Sequence, residues 1–206
     1  MEADIFLDNT HKKVTEQHSF LKVTPGIWIN GKTYWLRDNN EKIIAEEEVS
    51  IHVKERSVHS KTKVHDVFVK NHGNQRRNIK FLFMHQYPNP RNELLTFVSP
   101  AEKAIFHVKN NQIYLVNGQC QGKVMEQMTV QPMWNIHTES IWQSQSDGIL
   151  KYQPMAKGLM VSIFSLEANL DEDELCKAST WMVFGNNKNE VEYLNRTMKK
   201  QTSISF

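Results

Sequence analysis

The segment Ile79-Lys80-Phe81-Leu82-Phe83-Met84 constrains the fold of this chain more than any other. Along an extended strand successive side chains alternate, so Ile79, Phe81 and Phe83 point to one face while Leu82 and Met84 point to the other. A strand apolar on both faces needs cover on both and belongs in the middle of a sheet. The segment closes a longer stretch, Val64 to Tyr87, in which two runs rich in β-branched and aromatic residues flank Asn71-His72-Gly73-Asn74. Gly and Asn tolerate positive φ, so the cluster has turn chemistry and the stretch is predicted as a long β-hairpin.

Similar runs fill most of the chain. Asn30-Gly31 lies between the aromatic-rich runs Gly26 to Ile29 and Lys32 to Leu36, and Asn-Gly favours the type I′ turn whose twist matches paired strands. Asp38-Asn39-Asn40 makes a second turn. Val49, Ile51 and Val53 then alternate with Ser50, His52 and Lys54, the pattern of a strand with one wet face. Pro88-Asn89-Pro90 breaks the ladder, because proline lacks a donor. Strands resume over Leu94 to Val98, Lys103 to Val108 and Ile113 to Val116, punctuated by Asn117-Gly118 and by Gly122. Lys123 to Val130, Asn135 to Gln143 and Ile149 to Tyr152 are poorer in apolar residues and read as edge strands. Leu159 to Leu166 is apolar on both parities and reads as central, with Thr180 to Phe184 as its partner. From Asn189 onward Val191, Leu194 and Met198 recur at helical spacing, Asn189 and Glu192 form a candidate capping pair, and Lys199-Lys200 suits the negative end of a helix dipole.

About ten or more strands with almost no helix between them define an all-β protein, a large antiparallel β-sandwich closed by a short C-terminal helix. Residues 1–22 are polar with weak periodicity and read as an N-terminal arm, leaving residues 23–206 as a single sandwich domain. With 39% hydrophobic residues, five Trp and ten Phe, a core is available.

Composition excludes several functions. A net charge of +2, with only Arg76-Arg77 and Lys199-Lys200 as basic doublets, is too little to neutralise many phosphates, so nucleic acid is not expected as a partner. Cys120 and Cys176 form neither a disulfide framework nor a zinc set, and read as two reduced thiols. The acidic start lacks a signal peptide's charge pattern and no run reaches membrane-span length, so a cytoplasmic location and no membrane partner are expected. No phosphate-loop, dinucleotide, GxSxG or HExxH motif is present, and no cofactor is expected.

The candidate chemistry is sparse. His52, His59, His65 and His72 recur at spacings that alternate faces on continuous strands, so no metal is expected there. His65-Asp66 is not a dyad, because strand neighbours point apart. His137 and Glu139, two residues apart on a predicted strand, share a face where the carboxylate would orient the imidazole, with Trp134 and Trp142 nearby as flat rings. Together they are the candidates for a catalytic pair and a ligand-binding surface. Asp171 to Glu174 lacks the alternation and central Gly of a calcium loop and reads as solvated. The order of a central apolar strand, this acidic loop, Trp181-Met182-Val183-Phe184-Gly185 and a closing helix resembles the layout of sugar-binding sandwich domains of the aldose-mutarotase type, over the last third of the chain. That resemblance implies carbohydrate as a ligand and a His and Glu acid-base set.

The missing motifs point first to a non-catalytic binding protein, acting on a protein partner or by self-association through strand edges around residues 123–152. A carbohydrate-binding or sugar-isomerising sandwich using His137, Glu139 and the tryptophans is the alternative.

Overall fold

The structure, a computed structural model, describes residues 20–37, 39–88 and 94–204. Its strands are β1 (Lys22–Ile29), β2 (Lys32–Trp35), β3 (Glu41–Ile44), β4 (Val49–His59), β5 (Thr62–Asn71), β6 (Arg77–Gln86), β7 (Leu94–Ser99) and β8 (Ala104–Lys109). They continue as β9 (Gln112–Cys120), β10 (Lys123–Val124), β11 (Gln127–Pro132), then a short helix α1 (Met133–His137). After it come β12 (Trp142–Ser144), β13 (Ile149–Leu150), β14 (Met155–Gly158), β15 (Met160–Leu170), β16 (Leu175–Gly185) and the closing helix α2 (Lys188–Ile204). Most of the expected N-terminal arm, Asp38 of the second turn and residues 89–90 of the proline break lie outside the described residues. Where the arm was expected to end, Leu21 is buried and β1 has begun at Lys22.

Two antiparallel sheets face each other, which is the all-β sandwich expected. The smaller runs β11-β15-β6-β1-β2 and the larger β14-β7-β8-β9-β16-β5-β4-β3, with β10 beside β9. β6 is the middle strand of the five, hydrogen-bonded to β1 and β15. Its Ile79, Phe81 and Phe83 enter the sandwich core, where Phe83 stacks on Phe164 at 5.1 Å between centroids. Burying each ring stabilises the fold by roughly 1.5–3 kcal/mol. Met84, on the opposite parity, packs against Ile136, Ile141, Leu150, Val161 and Ile163. Residues 133–150 therefore form a cap over the outer face of the smaller sheet and give β6 its second cover.

The hairpin expected around Asn71–Asn74 is corrected by the sheet topology. β5 belongs to the larger sheet and β6 to the smaller, so the segment between them is an arch that crosses the sandwich. Asn71 holds the crossing: its side-chain amide donates to the carbonyl oxygens of Gln75 and Asp171, and its Oδ1 accepts from the Gly73 N–H. Turn chemistry is shared by hairpins and arches, and only the destination of the second strand separates them. The pairing of Leu159–Leu166 with Thr180–Phe184 fails for the same reason. β15 pairs with β11 and β6, whereas β16 lies between β9 and β5 in the other sheet.

Asn117-Gly118 also departs from expectation, because it lies inside β9. A Cβ on Gly118 would come within 2.6 Å of the Phe164 ring, so glycine here admits a core aromatic and makes no turn. Asn30-Gly31 does form the tight turn between β1 and β2, with φ of 49° and 79°. Val49, Ile51 and Val53 are buried as their alternation requires.

Helix α2 closes the outer face of the larger sheet, with Val191 and Met198 packing on Trp181, Val183 and Leu115. The Trp181 indole N–H donates to Asn195 Oδ1 at 2.9 Å. Its cap lies two residues earlier than expected: Asn187 Oδ1 accepts from the Glu190 N–H, and the Glu190 carboxylate accepts from the Asn186 N–H. Among the described residues, no helix is long and apolar enough to cross a membrane.

Candidate functional site

The cap borders openings beside the smaller sheet, and a buried cation holds it down. Lys80 shares the outward parity of Leu82 and Met84, and its ammonium donates to the carbonyl oxygens of Asp147 (3.2 Å) and Gly148 (3.0 Å). The same ammonium pairs with Glu167 at 2.8 Å and lies over the Trp28 ring, 5.4 Å from its centroid. Trp28 in turn donates its indole N–H to the Gln145 carbonyl. Gly148, at φ 61°, is needed there, since a Cβ would approach the Trp28 ring to 2.8 Å. Gln127 fastens the other side: its Oε1 accepts from the Leu150 N–H and its Nε2 donates to the Gly148 carbonyl.

Between this cap and the β7–β8 turn lies a cleft of about 390 Å³, lined by Glu126, Gln127, Gln143, Ile149 and Tyr152 among others. The Glu126 pKa is raised, chiefly by partial burial and then by the neighbouring Glu167 charge. A carboxyl whose pKa is raised beside a second carboxylate is the arrangement from which acid-base assignments are made. Sequence reading missed this pair because Glu126, in the bend before β11, and Glu167, on β15, are forty-one residues apart. Only the antiparallel register, with Gln127 opposite Ser165, brings them together.

The expected pair, His137 and Glu139, does not form. Asn135 to Gln143 is not one strand: His137 ends α1, Glu139 occupies a turn with φ 54°, and only Trp142 and Gln143 are extended, at the start of β12. Among the described residues no hydrogen bond or ion pair joins the two, and the Glu139 carboxylate accepts instead from Gln145 Nε2 at 3.2 Å. The tryptophans separate as well. Trp134 is 62% exposed, whereas Trp142 is half-buried and packs into the cap's core. A polar, short run was read as an exposed strand, but after Pro132 the chain coils.

The histidines of the early strands also disperse. His72 lies 2.7 Å from Ser50 Oγ on the surface, His65 meets Glu55 at 3.1 Å, and His52 stacks at a tilt near Phe68. Among the described residues no three His, Cys, Asp or Glu side chains are grouped to hold a metal. His85 and His107, which were not singled out, are fully buried inside the sandwich, bonded to Thr180 (3.1 Å) and to Ser162 (2.8 Å) respectively. Cys120 and Cys176 lie on adjacent strands with their sulfurs 3.6 Å apart.

Residues 149–159 run along the seam where the sheets meet. The Val130 N–H donates to the Gln153 carbonyl, Val98 N–H to that of Pro154, and Met133 N–H to that of Leu159. Thr129 and Gln131 both donate to the Lys151 carbonyl. The outer edge of β11, expected to be open, is thus bridged. What the seam does expose is side chains: Tyr152 (62%), Met155 (57%) and Leu159 (46%), beside Trp134.

No protein-family model matches this chain, and no curated protein does. Among solved structures it is similar to a chain described as "Putative kojibiose phosphorylase from human microbiome", at 12% identity and a TM-score of 0.44. The alignment covers 91% of this chain and 26% of that one, so this chain spans about a quarter of its length.

Proposed function

We propose that the protein acts by binding, without catalysis, and that the seam of Trp134, Tyr152, Met155 and Leu159 is its recognition surface. The observation that carries this reading is that Tyr152, Met155 and Leu159, large apolar side chains close together in sequence, all face solvent, with Trp134 on the helix whose Met133 N–H bonds the Leu159 carbonyl. Because backbone groups at the seam are bridged, the partner docks on side chains and does not add a strand. Lys151 precedes Tyr152 at one end of the seam, which favours another protein's segment, apolar with an acidic flank.

A second reading, carbohydrate handling, is favoured by one observation: the Glu126 carboxyl, its pKa raised in part by the Glu167 charge, lines the neighbouring cleft with Tyr152. One experiment separates the two. Peptides selected on the folded protein should be rich in aromatic and acidic residues, and Tyr152→Ser with Met155→Ser should weaken them about tenfold or more, while Tyr193→Ser on α2 leaves them unchanged. Selection that yields no peptide, or peptides indifferent to the seam, contradicts the proposal. Thermal stabilisation by a simple sugar, lost in Glu126→Gln, would then support the second reading.

A further inference from the structure

On the other side of the cap, the outer face of the smaller sheet ends in a second, separate cleft of about 250 Å³. Its polar lining converges from four elements. Lys22 at the start of β1 is the register partner of Gln86 at the end of β6, so both lie on the outward face. Arg37 follows β2, which the bond from Leu36 N–H to the Pro25 carbonyl fastens beside β1. His137 ends α1 and enters from the cap. Met84 and Ile136, both nearly fully buried, supply an apolar floor.

We infer that this cleft is a binding site for a small phosphorylated compound with an apolar body. Lys22 and Arg37 are cationic and His137 adds an imidazole, while no acidic side chain is among the described residues lining the cleft. Among the described residues none of these three groups is held in an ion pair. A guanidinium presents its donors as a planar fork that matches two phosphate oxygens, and an ammonium adds a compact charge beside it. The Gln86 amide supplies a neutral donor on the same face. The volume lies just below the range typical of drug-sized ligands, which suits a monophosphate with a ring or short chain resting on Met84 and Ile136. The inference does not rest on the seam, since none of Trp134, Tyr152, Met155 and Leu159 lines this cleft.

The test is titration of the whole protein with phenyl phosphate and, separately, with inorganic phosphate, followed by calorimetry and by the methyl resonances of Met84 and Met133. Saturable one-to-one binding of phenyl phosphate is expected, tighter than that of inorganic phosphate, with shifts at both methyls. Arg37→Gln should weaken it about tenfold or more, because an exposed guanidinium can be removed without disturbing the core. Binding to vesicles containing phosphatidic acid, with none to phenyl phosphate, would identify a lipid headgroup as the source of the phosphate and overturn the small-molecule assignment. Absence of binding at millimolar phenyl phosphate, or binding that Arg37→Gln leaves unchanged, overturns the site itself.

Discussion

His85 and His107 lie inside the sandwich with no solvent exposure, and burial holds both imidazoles below their ordinary pKa, His107 down to about 3. The folded protein therefore keeps them neutral over a range in which the unfolded chain takes up protons near the ordinary value of 6.5. Their contribution to stability is complete above that value and is lost as pH falls below it toward the folded pKa. Each such histidine costs about 1.4 kcal/mol per pH unit in that window. Urea unfolding of wild type and His107→Gln between about pH 6 and 4.5 should show a slope lower by about that amount in the variant; equal slopes would mean His107 is not buried neutral. Both residues were legible in principle. His85 is in phase with Phe81 and Phe83, and His107 with Ile105, so the inward parity already named them. Lys80 shares its outward parity with Leu82 and Met84 in the same way. A polar residue in phase with an apolar set marks a buried group, whereas the four histidines of β4, β5 and the arch attracted attention by number alone. The Glu126 and Glu167 pair left no such trace, because nothing local to either residue records the other.

At the scale of elements, strand identity was readable and strand destination was not. The alternation over Val49 to Val53, the Asn30-Gly31 turn and the helical spacing of Val191, Leu194 and Met198 each describe interactions within a few residues, and each appears where expected. The β5 to β6 connection depends on which sheet receives β6, a question settled by packing far from the turn. Asn71 carries the consequence. It is fully buried and satisfies backbone groups from both the arch and the β15–β16 loop, so Asn71→Ala should lower stability by about 1–3 kcal/mol. Asn78, whose exposed amide donates to Asn169, serves as the comparison, and Asn78→Ala should change stability by no more than about 0.5 kcal/mol. Denaturant midpoints check both; equal effects would mean that the arch is not pinned by this side chain. The run 135–143 failed for a different reason. Its polarity suited an exposed strand, but Ile136 and Ile141 reach down to Met84 and Ile163, and a short helix delivers them better than an extended chain.

For the whole molecule, the layers follow from β6. One face of that strand completes the core between the sheets and the other requires a cap, and the cap's two margins create the openings where recognition is proposed. The seam, the carboxyl cleft and the basic cleft are all boundaries of residues 133–159 against the sandwich. Large-scale architecture was legible because the residues Ile79 to Met84 can satisfy both faces only inside a layered all-β fold. The identity of the covering segment was not, since the apolar residues that supply it are spaced irregularly through a polar stretch. Residue-resolved hydrogen exchange of the intact protein tests this arrangement most directly. Amides of Phe81 to Met84 should exchange only through global unfolding, among the slowest in the chain, because β1, β15, the core and the cap enclose them on every side. Exchange of these amides as fast as that of the Asn30-Gly31 turn would contradict it.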